Sequence, residues 1–180
     1  TVDITGSNDG PVVTSGTTSS VAENAAPNTV VYQATATDPD AGDTVTWSLS
    51  GTDAAKFNIA ADGKVTLKAS ADYEAQNSYR FSVVATDPGG LTTSKAVTLA
   101  VTNVNEAPTI TSGAGGSVVE NAAASTVVYQ ATATDPDAGD MVTGTATGTD
   151  DTLPHHGTDA NVTLKASADF EAQSSYSFNV

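Results

Sequence analysis

Fifteen residues, Thr29 to Asp43 (TVVYQATATDPDAGD), recur letter for letter at Thr126 to Asp140, so the chain repeats itself at a spacing of 126 − 29 = 97. A unit of that size is longer than the roughly 20 to 50 residues of a solenoid repeat and large enough to enclose a core of its own. The register holds elsewhere. Val65 to Asp72 (VTLKASAD) matches Val162 to Asp169, Glu23-Asn24 matches Glu120-Asn121, and Asp72-Tyr73-Glu74 matches Asp169-Phe170-Glu171. The opening Thr1 to Pro11 (TVDITGSNDGP) aligns with Thr98 to Pro108 (TLAVTNVNEAP). We therefore expect 1–10 to be the tail of a preceding repeat, 11–107 a complete repeat, and 108–180 a second repeat truncated before its last strand.

Within a repeat the apolar residues alternate with period two, as in Val30/Tyr32/Ala34/Ala36, Val45/Trp47/Leu49, Val65/Leu67, Tyr79/Phe81/Val83/Ala85 and Val97/Leu99/Val101. Turn residues stand between these runs: Asp38-Pro39, Ala41-Gly42-Asp43, Asp62-Gly63 and Asp87-Pro88-Gly89-Gly90. With a leading strand around Val12 to Val21 and a short one at Phe57 to Ile59, the pattern predicts an all-β fold. It is that of tandem seven-stranded Greek-key sandwiches of immunoglobulin-like type. No segment carries a helical stripe.

Composition narrows the function. Twenty-one acidic against six basic residues give a net charge of −15, which repels nucleic acid and anionic lipid. Cysteine is absent, so disulfides and thiolate metal sites are unavailable. No run approaches the eighteen apolar residues of a membrane span. A polyanion of this kind wants cations.

Strand parity locates the acids. If consecutive strands run up and down, Glu23, Asp72, Glu74 and the linker from Asn103 to Pro108 lie at one pole, whereas Asp38, Asp40 and Asp87 lie at the other. In a head-to-tail array the lower pole of one repeat meets the upper pole of the next. Glu23, Asp72, Glu74, Asn103, Asn105 and Glu106 are thus expected to converge on Asp135, Asp137 and Asp140. Such crowding calls for a hard divalent cation, and calcium, with its six to eight oxygen ligands and loose geometry, suits carboxylates drawn from separate segments.

These residues carry a family resemblance. Glu23-Asn24 is similar to the cadherin xEN motif, Asp38-Pro39-Asp40-Ala41-Gly42 to DxDxG, Asp72-Tyr73-Glu74 to DRE/DYE, Ala85-Thr86-Asp87 to AxD, and Asn103 to Pro108 to the linker DxNDNxP. Val2 to Pro11 also resembles the repeat ends of very large bacterial adhesins of the VCBS and RTX kind. The resemblance implies calcium at the junction, held by Glu23, Asp72, Glu74, Asn103, Asn105, Glu106, Asp135 and Asp137, to which strand parity adds Asp140. It further implies an N-terminal half-site of Asn8, Asp9, Asp38, Asp40 and Asp87, and a C-terminal half-site of Glu120, Asp169 and Glu171. It implies a calcium-rigidified extender repeat of a secreted bacterial cell-surface adhesin, whose partners are neighbouring repeats of the same chain and a cell-surface glycan or protein. The alternative is a carbohydrate-binding module accompanying polysaccharide-degrading enzymes.

The chain departs from the family pattern in two places. The linker has Asn103 where an aspartate is usual and is one residue short, which predicts fewer ions than the family holds. Met141 to Asn161 diverges, with Gly144, Ala146, Pro154 and His156 standing where the first copy has Trp47, Leu49, Phe57 and Ile59. The second copy is therefore expected to be looser. Blander readings compete for single motifs: Asp-Pro-Asp-Ala-Gly-Asp as a solvated turn, Trp47 as a core anchor, and His155-His156 as a surface loop. No nucleophile and base pair, phosphate loop or basic aromatic surface appears, so an enzyme is not expected.

Overall fold

Threonine and valine, stiff at χ1 and suited to a pleated surface, fill the strands of the computed structural model, which describes residues 1–3, 6–147 and 161–180. The chain divides into two units, Thr1–Val104 and Asn105–Val180. In the first, the strands are β1 (Val12–Val13), β2 (Thr18–Ala22), β3 (Val30–Gln33), β4 (Ala36–Thr37), β5 (Thr46–Ser50), β6 (Phe57–Ile59), β7 (Lys64–Leu67), β8 (Ser78–Thr86) and β9 (Thr92–Thr102). One sheet runs β2-β9-β8-β5 and another β3-β7-β6, with β1 paired to β4. Among the described residues, apart from a 3-10 turn at Ala54–Lys56, the architecture is all-β, an immunoglobulin-like sandwich.

The expected leading strand from Val12 to Val21 is in fact two pieces. β1 pairs antiparallel with β4, and β2 pairs parallel with β9 in the other sheet. The chain crosses at Ser15-Gly16, where the Tyr32 hydroxyl donates to Ser15 Oγ at 2.7 Å. Counting β1 with β2 and β3 with β4 leaves seven strands. Their directions follow the up-and-down parity: β2 and β9 are parallel, and β5/β8, β8/β9, β3/β7 and β6/β7 are antiparallel.

The inward-facing residues make one core cluster. Phe57 packs its ring against Tyr79 and Phe81, with centroids 5.6 and 4.8 Å away. Val65, Val83 and Leu99 are wholly enclosed, and Trp47 packs partly buried against the same cluster. Truncating a leucine so enclosed costs about 2–5 kcal/mol.

Among the described residues of the second unit the strands are β10 (Thr109–Ile110), β11 (Val127–Gln130), β12 (Ala133–Thr134) and β13 (Asn161–Thr163). β10 pairs β12, β11 pairs β13, and Thr147 bridges Asn179. Each register is the first unit's moved by 97: Val12↔Thr37 becomes Thr109↔Thr134, Tyr32↔Val65 becomes Tyr129↔Val162, and Ser50↔Ser82 becomes Thr147↔Asn179. Burial is not carried over so faithfully. Val13 is 7% exposed but its counterpart Ile110 is 50%, and Met141 in the divergent segment is 90% exposed. Pro154, His155 and His156 lie outside the described residues, as do Ile4 and Thr5.

Candidate metal centre

Glu23 follows the last residue of β2 and is held where that strand leaves the sheet. Its N–H donates to the Thr102 carbonyl at 3.0 Å, and the next residue, Asn24, turns at φ 58° and donates its N–H to the Ala71 carbonyl at 2.9 Å. Asparagine accepts this left-handed conformation better than most residues. The Glu23 side chain, 3% exposed, accepts the Val104 N–H on Oε1 at 2.7 Å and the Tyr73 N–H on Oε2 at 2.9 Å. Asp72 Oδ1 accepts the Ala75 N–H at 2.8 Å, which fixes the next carboxylate. Glu23, Asp72 and Glu74 each offer an oxygen within 4.8 Å of the others. A carboxylate has about four lone-pair directions, so an N–H on each oxygen still leaves room for a cation.

At the opposite pole of the same unit, Asp38-Pro39-Asp40-Ala41-Gly42-Asp43 closes on itself. The Asp40 N–H donates to Asp38 Oδ1 at 2.9 Å, and the Asp43 N–H to the Asp40 carbonyl at 3.2 Å, with Gly42 at φ 99°. Glycine adopts that angle without a Cβ penalty. Asp38, Asp40 and Asp43 bring their oxygens within 4.8 Å of one another. The N-terminal segment docks here: the Asp9 N–H donates to Asp40 Oδ2 at 2.6 Å, and Asn8 Nδ2 to Asp87 Oδ2 at 2.9 Å. Asp38 Oδ2 is buried without a hydrogen-bond partner.

Two carboxyls here are shifted in opposite senses. Desolvation, followed by the charges of Asp38, Asp40 and Asp87, pushes Asp43 above the ordinary aspartate value. Burial also works against the ionised form of Asp87. The hydrogen bonds from Asn8, Leu91, Gly90 and Gly89 outweigh it and hold Asp87 below that value.

The second unit repeats both constructions. Asp135, Asp137 and Asp140 converge within 4.8 Å, the Asp137 N–H donates to Asp135 Oδ1 at 3.0 Å, and Gly139 turns at φ 99°. The Glu106 N–H docks on Asp137 Oδ2 at 2.7 Å, repeating the Asp9 contact on Asp40. Asp137 is 6% exposed, yet its Oδ1 has no hydrogen-bond partner. A buried, ionisable oxygen left in that state is costly unless something else supplies the positive charge. Glu120, Asp169 and Glu171 form the fourth cluster, all exposed, with Asp169 Oδ1 accepting the Glu171 N–H at 3.0 Å.

Three linker residues behave differently. Glu106 reaches the cluster of its own unit through its backbone, Asn105 donates to the Glu106 carbonyl at 3.1 Å, and Asn103 is exposed. Asp43 is absent from the set expected of the N-terminal half-site, although the repeat contained the signal: Asp140 lies 97 residues on, and 140 − 97 = 43.

Residues 17–104 match the family model of the Cadherin domain. The chain is 33% identical over 125 residues to the protocadherin-like wing polarity protein stan of Drosophila melanogaster, covering 66% of this chain and 4% of that protein. It is 31% identical over 175 residues to human protocadherin Fat 4, covering 89% of this chain and 4% of that one. The chain therefore spans a small fraction of these relatives. The crystal structure of human protocadherin-24 EC1-2, form II, superposes with a TM-score of 0.70 at 22% identity, covering 89% of this chain and 81% of that one. Among the described residues no helix is long and apolar enough to cross a membrane. The segment 17–104 is therefore similar to the Cadherin domain, and the chain shares the fold of solved cadherin structures.

Proposed function

We propose that the chain is a calcium-rigidified extender of an extracellular adhesin, with calcium held where one repeat follows another. The reading rests above all on Asp137, enclosed, pinned through Oδ2 by the Glu106 N–H, and carrying an unpartnered Oδ1 among the carboxylates of Asp135 and Asp140. Calcium fits that donor set, being a hard cation that takes carboxylates and carbonyls at flexible angles. Glu23, Asp72 and Glu74 would supply oxygens from the first repeat, Asp135, Asp137 and Asp140 from the second, and Asn103, Asn105 and Glu106 from the linker. Asn8, Asp9, Asp38, Asp40, Asp43 and Asp87 would be half of such a joint, and Glu120, Asp169 and Glu171 half of another. The repeat boundaries are then 11–107 and 108–180.

A bacterial surface origin is supported by the opening Thr1 to Pro11, with its adhesin-like wording. The sugar-binding reading is disfavoured because Trp47, the single tryptophan, packs against the core. Small-angle scattering in calcium and in chelator tests the extender role. A rod that shortens and becomes flexible at Glu106 to Pro108 on chelation is expected, and an unchanged maximum dimension counts against it.

A further inference from the structure

Asn8 carries an amide, a group with donors at one end and an acceptor at the other, and the structure shows which end is in use. Its Nδ2 donates to Asp87 Oδ2 at 2.9 Å. An ionised carboxylate can only accept, so the nitrogen is the end that faces Asp87. A cation shared by the two residues would need the opposite orientation, because a hard metal ion is taken through oxygen. In the orientation seen, Asn8 does part of a cation's work: it brings a partial positive charge to Asp87.

The seat that receives the amide is a closed turn. The Asp87 N–H donates to the Leu91 carbonyl at 3.1 Å, the Leu91 N–H to Asp87 Oδ1 at 2.8 Å, and the Gly90 N–H to the Asp87 carbonyl at 3.2 Å. Oδ2 is thereby left to the N-terminal segment. Gly89 makes the floor of the seat. A Cβ there would stand 2.7 Å from both Nδ2 and Oδ1 of Asn8 and 2.8 Å from its Cγ, and those are the three atoms nearest to that point. The floor is equally close to both ends of the amide, so its shape does not prefer one over the other. Rotation about the Cβ–Cγ bond exchanges nitrogen and oxygen in place. The backbone need not follow, since the Asp9 N–H is held separately on Asp40 Oδ2 at 2.6 Å and Pro11 is fully enclosed.

We propose that Asn8 is a two-position latch. Without a cation its amide nitrogen ties the N-terminal segment to Asp87; with a cation at the half-site the amide turns over on Gly89 and presents Oδ1 beside the Asp87 carboxylate. The second position rests on the calcium reading above, and the first does not. Asparagine suits both positions. Aspartate would repel Asp87 when no cation is present, and an apolar side chain could serve in neither state. Gly89 is a positioning residue that leaves room for the amide. Its φ lies outside the left-handed region, so alanine at 89 is opposed by the Asn8 side chain and not by the backbone.

The test is exchange protection of the Asp9 N–H, read by NMR in the 180-residue chain, in chelator and in about 10 mM calcium, an excess for extracellular sites. The native chain should be protected in both buffers. Asn8→Asp keeps an oxygen and loses the donor. Its protection should fall about tenfold or more in chelator, the factor that one charge-assisted hydrogen bond supplies, and return in calcium. Asn8→Ala should lose protection in both buffers. Gly89→Ala should lower protection in the native background and add nothing to Asn8→Ala. Equal protection of the native chain and Asn8→Asp in chelator overturns the latch. An unprotected Asn8→Asp in calcium, with calcium binding by the native chain established calorimetrically, overturns the second position. Gly89→Ala acting as strongly in the Asn8→Ala chain refutes the seat. A native chain that binds no calcium refutes the calcium reading and the second position together, and the chelator comparison then decides the first by itself.

Discussion

Glu23→Gln tests whether the enclosed carboxylate at the end of β2 is both a latch and a metal ligand. In the folded chain Glu23 Oε1 and Oε2 each accept one backbone N–H, from Val104 and Tyr73, at 2.7 and 2.9 Å. Glutamine keeps one acceptor and sets an NH₂ against the other N–H. One charge-assisted bond of about 1.5–3 kcal/mol is thus lost and a buried donor is left unpaired. For a domain of about a hundred residues, a loss of about 2–3 kcal/mol lowers Tm by roughly 10–20 °C in chelator. In calcium the gap should widen. A ligand present at about a hundred times its Kd adds about 2.7 kcal/mol to the native protein, and the variant would forfeit most of it. Differential scanning calorimetry in chelator and in calcium reads both terms. If Glu23→Gln melts with the native chain in chelator, the latch is refuted; if the gap is the same in both buffers, the ligand role is refuted.

Other consequences are separable. Asn8→Ala removes a bond that helps to hold the Asp87 carboxyl below its usual value, so its pKa should rise in carbon-detected NMR titration. With a depressed folded pKa, the stabilisation is present above the unfolded value of about 4 and is lost as pH falls through the folded one. In chelator the Asn8→Ala chain should accordingly lose less stability below pH about 4 than the native chain, and that loss should be complete at a higher pH. Ser125 sits at φ 70° where the first unit has Asn28 at φ 68°. Ser125→Asn should stabilise the second unit by a few tenths of a kcal/mol, detectable as a rise in its melting temperature. Leu99→Ala should cost about 2–5 kcal/mol in urea denaturation because Leu99 is fully enclosed, whereas Val2→Ala, at a position 92% exposed, should cost almost nothing.

The strands were legible because alternation is a direct image of a sheet with one face in the core, and the residues predicted inward at Tyr79, Phe81, Val83 and Ala85 are all enclosed. The switch of sheets at Ser15-Gly16 was not legible. Alternation continues across it, and what secures it is the Tyr32 hydroxyl, seventeen residues away. The acids could be assigned to poles from strand parity, and the duplicated register made each assignment twice. Parity did not reveal burial. Glu23 is enclosed by N–H groups 50 and 81 residues along the chain, a proximity no local pattern encodes. Likewise the exposure of Ile110 follows from which neighbours cover it, not from its own sequence context.

The central claim, that calcium is held jointly by the acids of two successive repeats, is tested most directly by isothermal calcium titration of the chain and of two variants. Glu74→Ala removes a carboxylate from the first unit and Asp135→Ala one from the second. The account predicts binding in the range of about 10⁻⁴ to 10⁻³ M for the native chain, with most of the junction heat lost in either variant. Binding that survives unchanged in one of the two would show that the ion belongs to a single repeat, and would contradict the account.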